Sequence, residues 1–112
     1  MWDGQSQPPN SSRFFHSKGK GLVQAGTPMK IARDFDNTYT ADPEMWEHFV
    51  TLAKARGHEV SIVTYRYEHE SGPVEPAAEK MGVPVVYTGR KPKIKHFDAD
   101  VWIDDDPYTV VD

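Results

Sequence analysis

The chain contains no cysteine, which excludes disulfides and thiolate zinc sites as devices for holding it together. It has no apolar run approaching the roughly 18 residues that mark a membrane-spanning helix, so a membrane partner is not expected. A charged leader followed by an apolar stretch is also missing, which predicts no secretory signal and a cytoplasmic location. Excess positive charge is lacking too. Lys and Arg number 13 against 17 Asp and Glu, a formal net charge of -4, whereas broad nucleic-acid binding usually needs a basic domain. The five histidines stand in neither HxH nor HExxH spacing, which disfavours a histidine metal centre. A length of 112 residues suits one domain with one core.

What is present falls into two parts. Residues 1–28 are rich in Gly, Ser, Gln and Pro and poor in aliphatics, the composition of a mobile arm. Arg13, Lys18 and Lys20 against Asp3 make this arm formally +2, leaving -6 for residues 29–112. Phe14 and Phe15 are its candidate docking residues, and Met29 is a candidate alternative start.

Residues 29–112 alternate between strand and helix patterns. Strand one is expected over Lys30–Phe35. A helix follows, with Asp42 as N-cap, Pro43 at its first position and Gly57 beyond its end. Met45, Phe49, Leu52 and Ala53 form its expected apolar face, with Trp46 and His48 at the edge or outside. Strand two is expected over Glu59–Thr64. A second helix is expected over Val74–Met81, stopped by Gly82. Strand three is Val83–Tyr87. A basic segment, 88–97, carries Arg90, Lys91, Lys93 and Lys95, and strand four is Asp100–Ile103. This βαβαβαβ pattern predicts an α/β fold with a parallel sheet and right-handed crossovers. With strand one central, the order is 4-1-2-3. Ligands of such sheets bind beyond the carboxyl ends of the strands, where strand order reverses.

Two strand ends there are acidic. The first is Asp34-Phe35-Asp36-Asn37-Thr38, where Asp34 and Asp36 share a face if the backbone stays extended. The second is Ile103-Asp104-Asp105-Asp106-Pro107. Asp-x-Asp alone is common by chance; two acidic strand ends on neighbouring strands make a site. Carboxylates gathered so closely need a bound Mg²⁺, a shared proton or a nearby lysine.

These residues resemble the haloacid dehalogenase-like phosphatase superfamily over about 30–107. Asp34-Phe35-Asp36-Asn37-Thr38 is similar to its DxDxT signature. Thr64, a lysine of the basic segment and the Asp104-Asp105 strand end stand in the order of its other three motifs. The resemblance implies a Rossmann-like three-layer sandwich and a Mg²⁺-dependent phosphomonoesterase. Asp34 would be the nucleophile that forms an aspartyl-phosphate. Asp36 would be the general acid and base, its carboxyl titrating above the usual range. Thr64 would bind a phosphoryl oxygen, and a lysine would stabilise developing charge. Lys95 is preferred for that lysine over Lys93, with Lys91 the outsider. Mg²⁺ would be held by Asp34, the backbone carbonyl of Asp36 and Asp105, with Asp104 behind or ligating through water.

One departure from the family pattern is Arg33, where a buried apolar residue is expected before the nucleophile. It is expected to snorkel or to pair with an acidic neighbour. The spacing from Asp36 to Thr64 and from Thr64 to Lys95 leaves no room for a cap domain. An open cleft suits a nucleotide or a polynucleotide phosphate end, or second a phosphoprotein. Tyr65, Arg66, Tyr67 and His69 would line its mouth, and Arg66 is a candidate contact for a second phosphate or a carboxylate. The alternative to an enzyme is a receiver-like phosphoacceptor or interaction module. It is disfavoured because the middle strands end in Thr64 and Thr88 rather than in an Asp.

Overall fold

The computed structural model describes residues 16–17, 21–22 and 27–112. His16–Ser17 pairs antiparallel with Gly21–Leu22. The expected mobile arm and its Phe14-Phe15 pair otherwise lie outside the described residues.

The main sheet has four parallel strands: β1 (Lys30–Arg33), β2 (Glu59–Thr64), β3 (Val85–Tyr87) and β4 (Val101–Ile103). Their order is β3-β2-β1-β4, which read from the other edge is 4-1-2-3. Strand β1 is therefore central. Its Ile31, Ala32 and Arg33 lie opposite Val60, Ser61 and Ile62 of β2 and opposite Val101, Trp102 and Ile103 of β4. Three strands are shorter than the sequence predicts. After Arg33 the chain turns over residues 35–38 and Asn37 takes a left-handed φ of 64°, which Asn tolerates better than most residues. Pro84 has no N–H to donate to a ladder, so β3 begins at Val85.

Helix α1 (Pro43–Ala55) starts as expected. Asp42 caps it by accepting from the Met45 N–H at 3.2 Å, Pro43 opens it, and Gly57 follows its end at φ 88°. Its buried face keeps Phe49 and Ala53 of the expected one but not Met45 and Leu52. Val50 and Ala53 are buried, Trp46 and Phe49 pack against the core, and Met45 and Leu52 are exposed. The helix is rolled so that positions 46, 49, 50 and 53 face the sheet, because Trp46 covers the guanidinium of Arg33 at 5.7 Å. Helix α2 (Val74–Met81) ends at Gly82, whose φ of 67° closes the last turn.

Both helices pack on one face of the sheet, where Ile31, Phe35, Val60, Ile62, Val74 and Ala78 form the larger core. Two crossovers that step the same way along a sheet, both right-handed, put their helices on the same face. The connection from β3 back to β4 must cross the other face. There Ala32, Val63 and Ala99 pack with Val86, Phe97 and Trp102. That second face is covered by the segment 88–100 with a 3-10 turn at Lys93–Lys95. It carries no α-helix among the described residues, so the expected third helical layer is replaced by a thinner one. No cap is inserted within residues 27–112.

Candidate functional site

The reversal of strand order lies between β1 and β4. The Asp34 N–H donates to the Ile103 carbonyl at 2.9 Å, so the two acidic strand ends are held side by side. Lys93 reaches both from the 3-10 turn. Its ammonium donates to Asp34 Oδ1 at 2.9 Å and to Asp104 Oδ2 at 2.5 Å. This triad is sealed: the side-chain exposures are 1% for Lys93, 8% for Asp34 and 5% for Asp104. Asp105 is exposed, yet Asp34, Asp104 and Asp105 each bring an oxygen within 4.8 Å of the others'. Thr38 Oγ1 donates to Asp34 Oδ2 at 3.4 Å, and the Asp106 N–H donates to Asp104 Oδ1 at 3.0 Å.

Burial pushes the Asp34 carboxyl up to about 7, against the lowering effect of its bond to Lys93. A carboxylate whose desolvation outweighs its ion pair gains from any further cation placed beside it. The donors gathered here are all carboxylate oxygens, the hard ligands that Mg²⁺ and Ca²⁺ take. Asp34, Asp104 and Asp105 thus fit a divalent cation.

Asp36 is placed differently from the sequence-based expectation. Both its oxygens accept from Arg66, Oδ2 from Nε at 2.9 Å and Oδ1 from Nη2 at 2.8 Å. This fork holds the Asp36 carboxyl below its usual range, where a raised value was expected. Desolvation by burial is outweighed because a bidentate guanidinium favours the ionised form. The carboxylate of Asp36 is outside the cluster of Asp34, Asp104 and Asp105.

The lysine preference is also corrected. Lys95 is exposed and pairs with Asp112 at 3.0 Å, while Lys93 enters the cluster. In a 3-10 turn each residue rotates by about 120°, so positions two apart face different ways. Thr64 is fully buried at the end of β2, and its hydroxyl accepts from the Arg66 N–H at 3.3 Å.

The carboxylates and Lys93 line a cavity of about 150 Å³, completed by Asn37, Tyr65, Asp106 and Thr109. Thr109 was not foreseen. It arrives through a 3-10 turn at Pro107–Thr109 whose only sequence signal is the Asp106-Pro107 start. A larger hollow of about 630 Å³ lies between α1 and α2, against Val50, Lys54 and Met81, and includes none of these carboxylates. Of the residues expected at the mouth, Tyr65 lines the cavity and Arg66 holds Asp36. Tyr67 and His69 stack on each other at 5.3 Å.

Arg33 does not snorkel, and it pairs with no carboxylate among the described residues. It is fully buried on the helix face, where Nη1 and Nη2 each lie 3.6 Å from Met81 Sδ. Its guanidinium also sits 5.1 Å from the Tyr39 ring centre.

Compared with models of protein families, with curated proteins and with solved structures, the chain matches none.

Proposed function

We propose that this chain is a Mg²⁺-dependent phosphomonoesterase of the haloacid dehalogenase-like kind, Rossmann-like in fold and cytoplasmic in location. The observation that carries the reading is the buried triad of Asp34, Lys93 and Asp104 at the carboxyl ends of adjacent parallel strands, with Asp105 beside it. Asp34, Asp104, Asp105 and the backbone carbonyl of Asp36 would hold the ion. Mg²⁺ there would neutralise charge on the transferring phosphoryl group and orient it.

The chain's own residues account for the rest. An oxygen of Asp34 attacks phosphorus as the bond from phosphorus to the ester oxygen breaks. Asp36, once released from Arg66 and protonated from solvent, would give that proton to the leaving oxygen. Asp36 then takes a proton from water, whose oxygen attacks phosphorus and breaks the bond to Asp34, releasing phosphate. Lys93 lies against Asp34 and offsets charge developing on the phosphoryl oxygens. Thr64, expected to bind a phosphoryl oxygen, is fully buried behind the cavity and not among its lining residues, so its hydroxyl would act through the Arg66 N–H that it accepts from.

A cavity of about 150 Å³ is smaller than the roughly 300–1,000 Å³ of whole-ligand pockets. It suits a phosphoryl group whose carrier remains outside. A nucleotide or polynucleotide phosphate end is the substrate we favour, with a phosphoprotein second; the cavity's size fits either. The fork on Asp36 favours one other reading, a receiver-like phosphoacceptor whose aspartyl-phosphate persists because the base is held away.

Hydrolysis of p-nitrophenyl phosphate tests the proposal. Turnover should require Mg²⁺, stop in EDTA and fall by at least about 10³-fold in Asp34→Asn, as removal of a nucleophile does. Turnover that survives either change would refute the mechanism. A stoichiometric phosphoprotein without turnover would establish the phosphoacceptor instead.

A further inference from the structure

Asp34, Asp104 and Asp105 line the cavity and suit a cation. Beyond Asp36, outside that lining, stand two guanidiniums, each paired with a carboxylate. Arg66 forks onto Asp36, donates from Nη1 to the Glu70 carbonyl at 2.9 Å and lies over the Phe35 ring at 5.6 Å. Arg90 donates to the Tyr65 carbonyl at 3.0 Å and to Glu70 Oε2 at 3.1 Å. The loops that carry them are tied together. The Gly89 N–H donates to the Arg66 carbonyl at 3.1 Å and the Arg90 N–H to the Tyr65 carbonyl at 2.8 Å. To do this Arg90 adopts a φ of 66°, a left-handed conformation costly for any residue but glycine. The two arginines are therefore held in place by the loops that carry them.

The fork creates a conflict for the reaction proposed above. Asp36 lines the cavity, but both its oxygens already accept from Arg66, so a leaving group meets a carboxylate that is engaged elsewhere. A small phosphate ester brings nothing that Arg66 would prefer to Asp36. A second anionic group does. The pair is open to exchange, since the side-chain exposures are 26% for Arg66 and 46% for Asp36. A guanidinium recognises phosphate and carboxylate with the same two-pronged geometry.

We propose that the substrate carries a second anionic group beside the reacting phosphate, and that this group takes Arg66 from Asp36 and so frees Asp36 for catalysis. The inference rests on the phosphomonoesterase reading and narrows its substrate class. Arg66 becomes a specificity-determining residue that couples recognition of the second anion to release of the acid. A polynucleotide 5′ end has the required chemistry, because its first phosphodiester lies one sugar away from the terminal phosphate.

The test compares a nucleoside 5′-monophosphate with the corresponding 3′,5′-bisphosphate, in wild type, Arg66→Gln and Arg66→Lys, with Mg²⁺. Wild type should prefer the bisphosphate in kcat/KM by about ten- to a hundredfold, the scale of a charge-assisted pair. In Arg66→Gln this preference should vanish from both sides: kcat/KM falls on the bisphosphate, and kcat on the monophosphate rises as Asp36 is released. Arg66→Lys, which keeps the charge without the fork, should lie between. A residue that merely supports the loop would lower both substrates together, and that parallel loss would overturn the inference. Equal turnover of the two substrates by wild type would overturn it as well, while leaving the phosphatase reading intact. No Mg²⁺-dependent turnover of either would remove the reading and the inference with it.

Discussion

Arg33 and Lys93 are both buried cations, one on the central strand and one in the 3-10 turn packed over it, with exposures of 0% and 1%. Lys93 sits between two carboxylates at the strand ends. Arg33, next in sequence to Asp34, projects to the opposite face, where its neighbours are a thioether and the rings of Tyr39 and Trp46. Among the described residues its Nε has no hydrogen-bond partner, and burial lowers its pKa to about 10, so it stays charged at neutral pH. The charge of Lys93 is matched by charges it holds in place. The charge of Arg33 is matched by polarisable surface, through cation–π and weak sulfur contacts. An ammonium that gathers carboxylates belongs to a site. A guanidinium that gathers rings belongs to the packing of α1 on the sheet.

The sharpest way to break this contrast is Lys93→Met. It leaves Asp34 and Asp104 buried without their cation, and truncating one partner of a buried pair costs about 3–5 kcal/mol. Thermal unfolding in EDTA at pH 7.5 should show that loss. Mg²⁺ should recover part of it by supplying charge at the same carboxylates. A variant as stable as wild type in EDTA would mean that the triad does not hold the strand ends together.

Acidity sharpens the same side of the comparison. The folded value for Asp34, about 7, lies above the ordinary carboxylate value of about 3.9. Between those values the folded protein keeps a proton that the unfolded chain has released. Stability therefore falls as pH rises through that window. Without divalent cations, Tm should drop between pH 5 and pH 7.5, on the order of 10 °C at most. Asp34→Asn should flatten the slope. Mg²⁺, which needs the ionised carboxylate, should raise Tm more at pH 7.5 than at pH 5. A Tm that rises across this interval in EDTA would show that Lys93, rather than burial, sets the state of Asp34.

Arg33→Met addresses the other cation. Replacing a buried charge by an apolar side chain of similar length is often neutral or stabilising, and here the lost partners are a sulfur and two rings. Stability should hold within about 1 kcal/mol or rise, because an orphaned N–H disappears with the charge. A loss as large as that of Lys93→Met would show that the rings bind the guanidinium as firmly as the carboxylates bind Lys93.

The two regions were not equally legible in the sequence. Helix α1 announced its start through Asp42 and Pro43 and its end through Gly57, because capping is a local affair. The acidic strand ends could be paired because alternating strands and helices leave few sheet orders. What the sequence concealed depended on direction rather than identity. The roll of α1 followed from where the Arg33 guanidinium went, and no local pattern records that. Arg66 lies thirty residues from Asp36, so the fork is a product of strand pairing. The basic segment from Thr88 to Phe97 reads as a short stretch with a helical turn or two after Pro92, which the 3-10 turn at Lys93–Lys95 matches; it was the family resemblance that implied a fuller third layer.

The smallest expected effect separates the two lysines. Lys95 is more than half exposed and its partner Asp112 is exposed as well, so the pair is screened by water and contributes roughly 0–1 kcal/mol. Lys95→Ala should leave Tm unchanged within about 2–4 °C and should leave Mg²⁺-dependent turnover at the wild-type level. The experiment is informative because the two lysines are two residues apart in one turn and share a local sequence. A general loss of positive charge from the segment would affect both variants alike. If Lys95→Ala proves silent while Lys93→Met loses stability and turnover, the difference comes from the direction that the 3-10 turn gives each side chain. If Lys95→Ala reduces turnover, the segment must rearrange to bring Lys95 to the phosphoryl group, and the buried triad would be a resting arrangement rather than the working one.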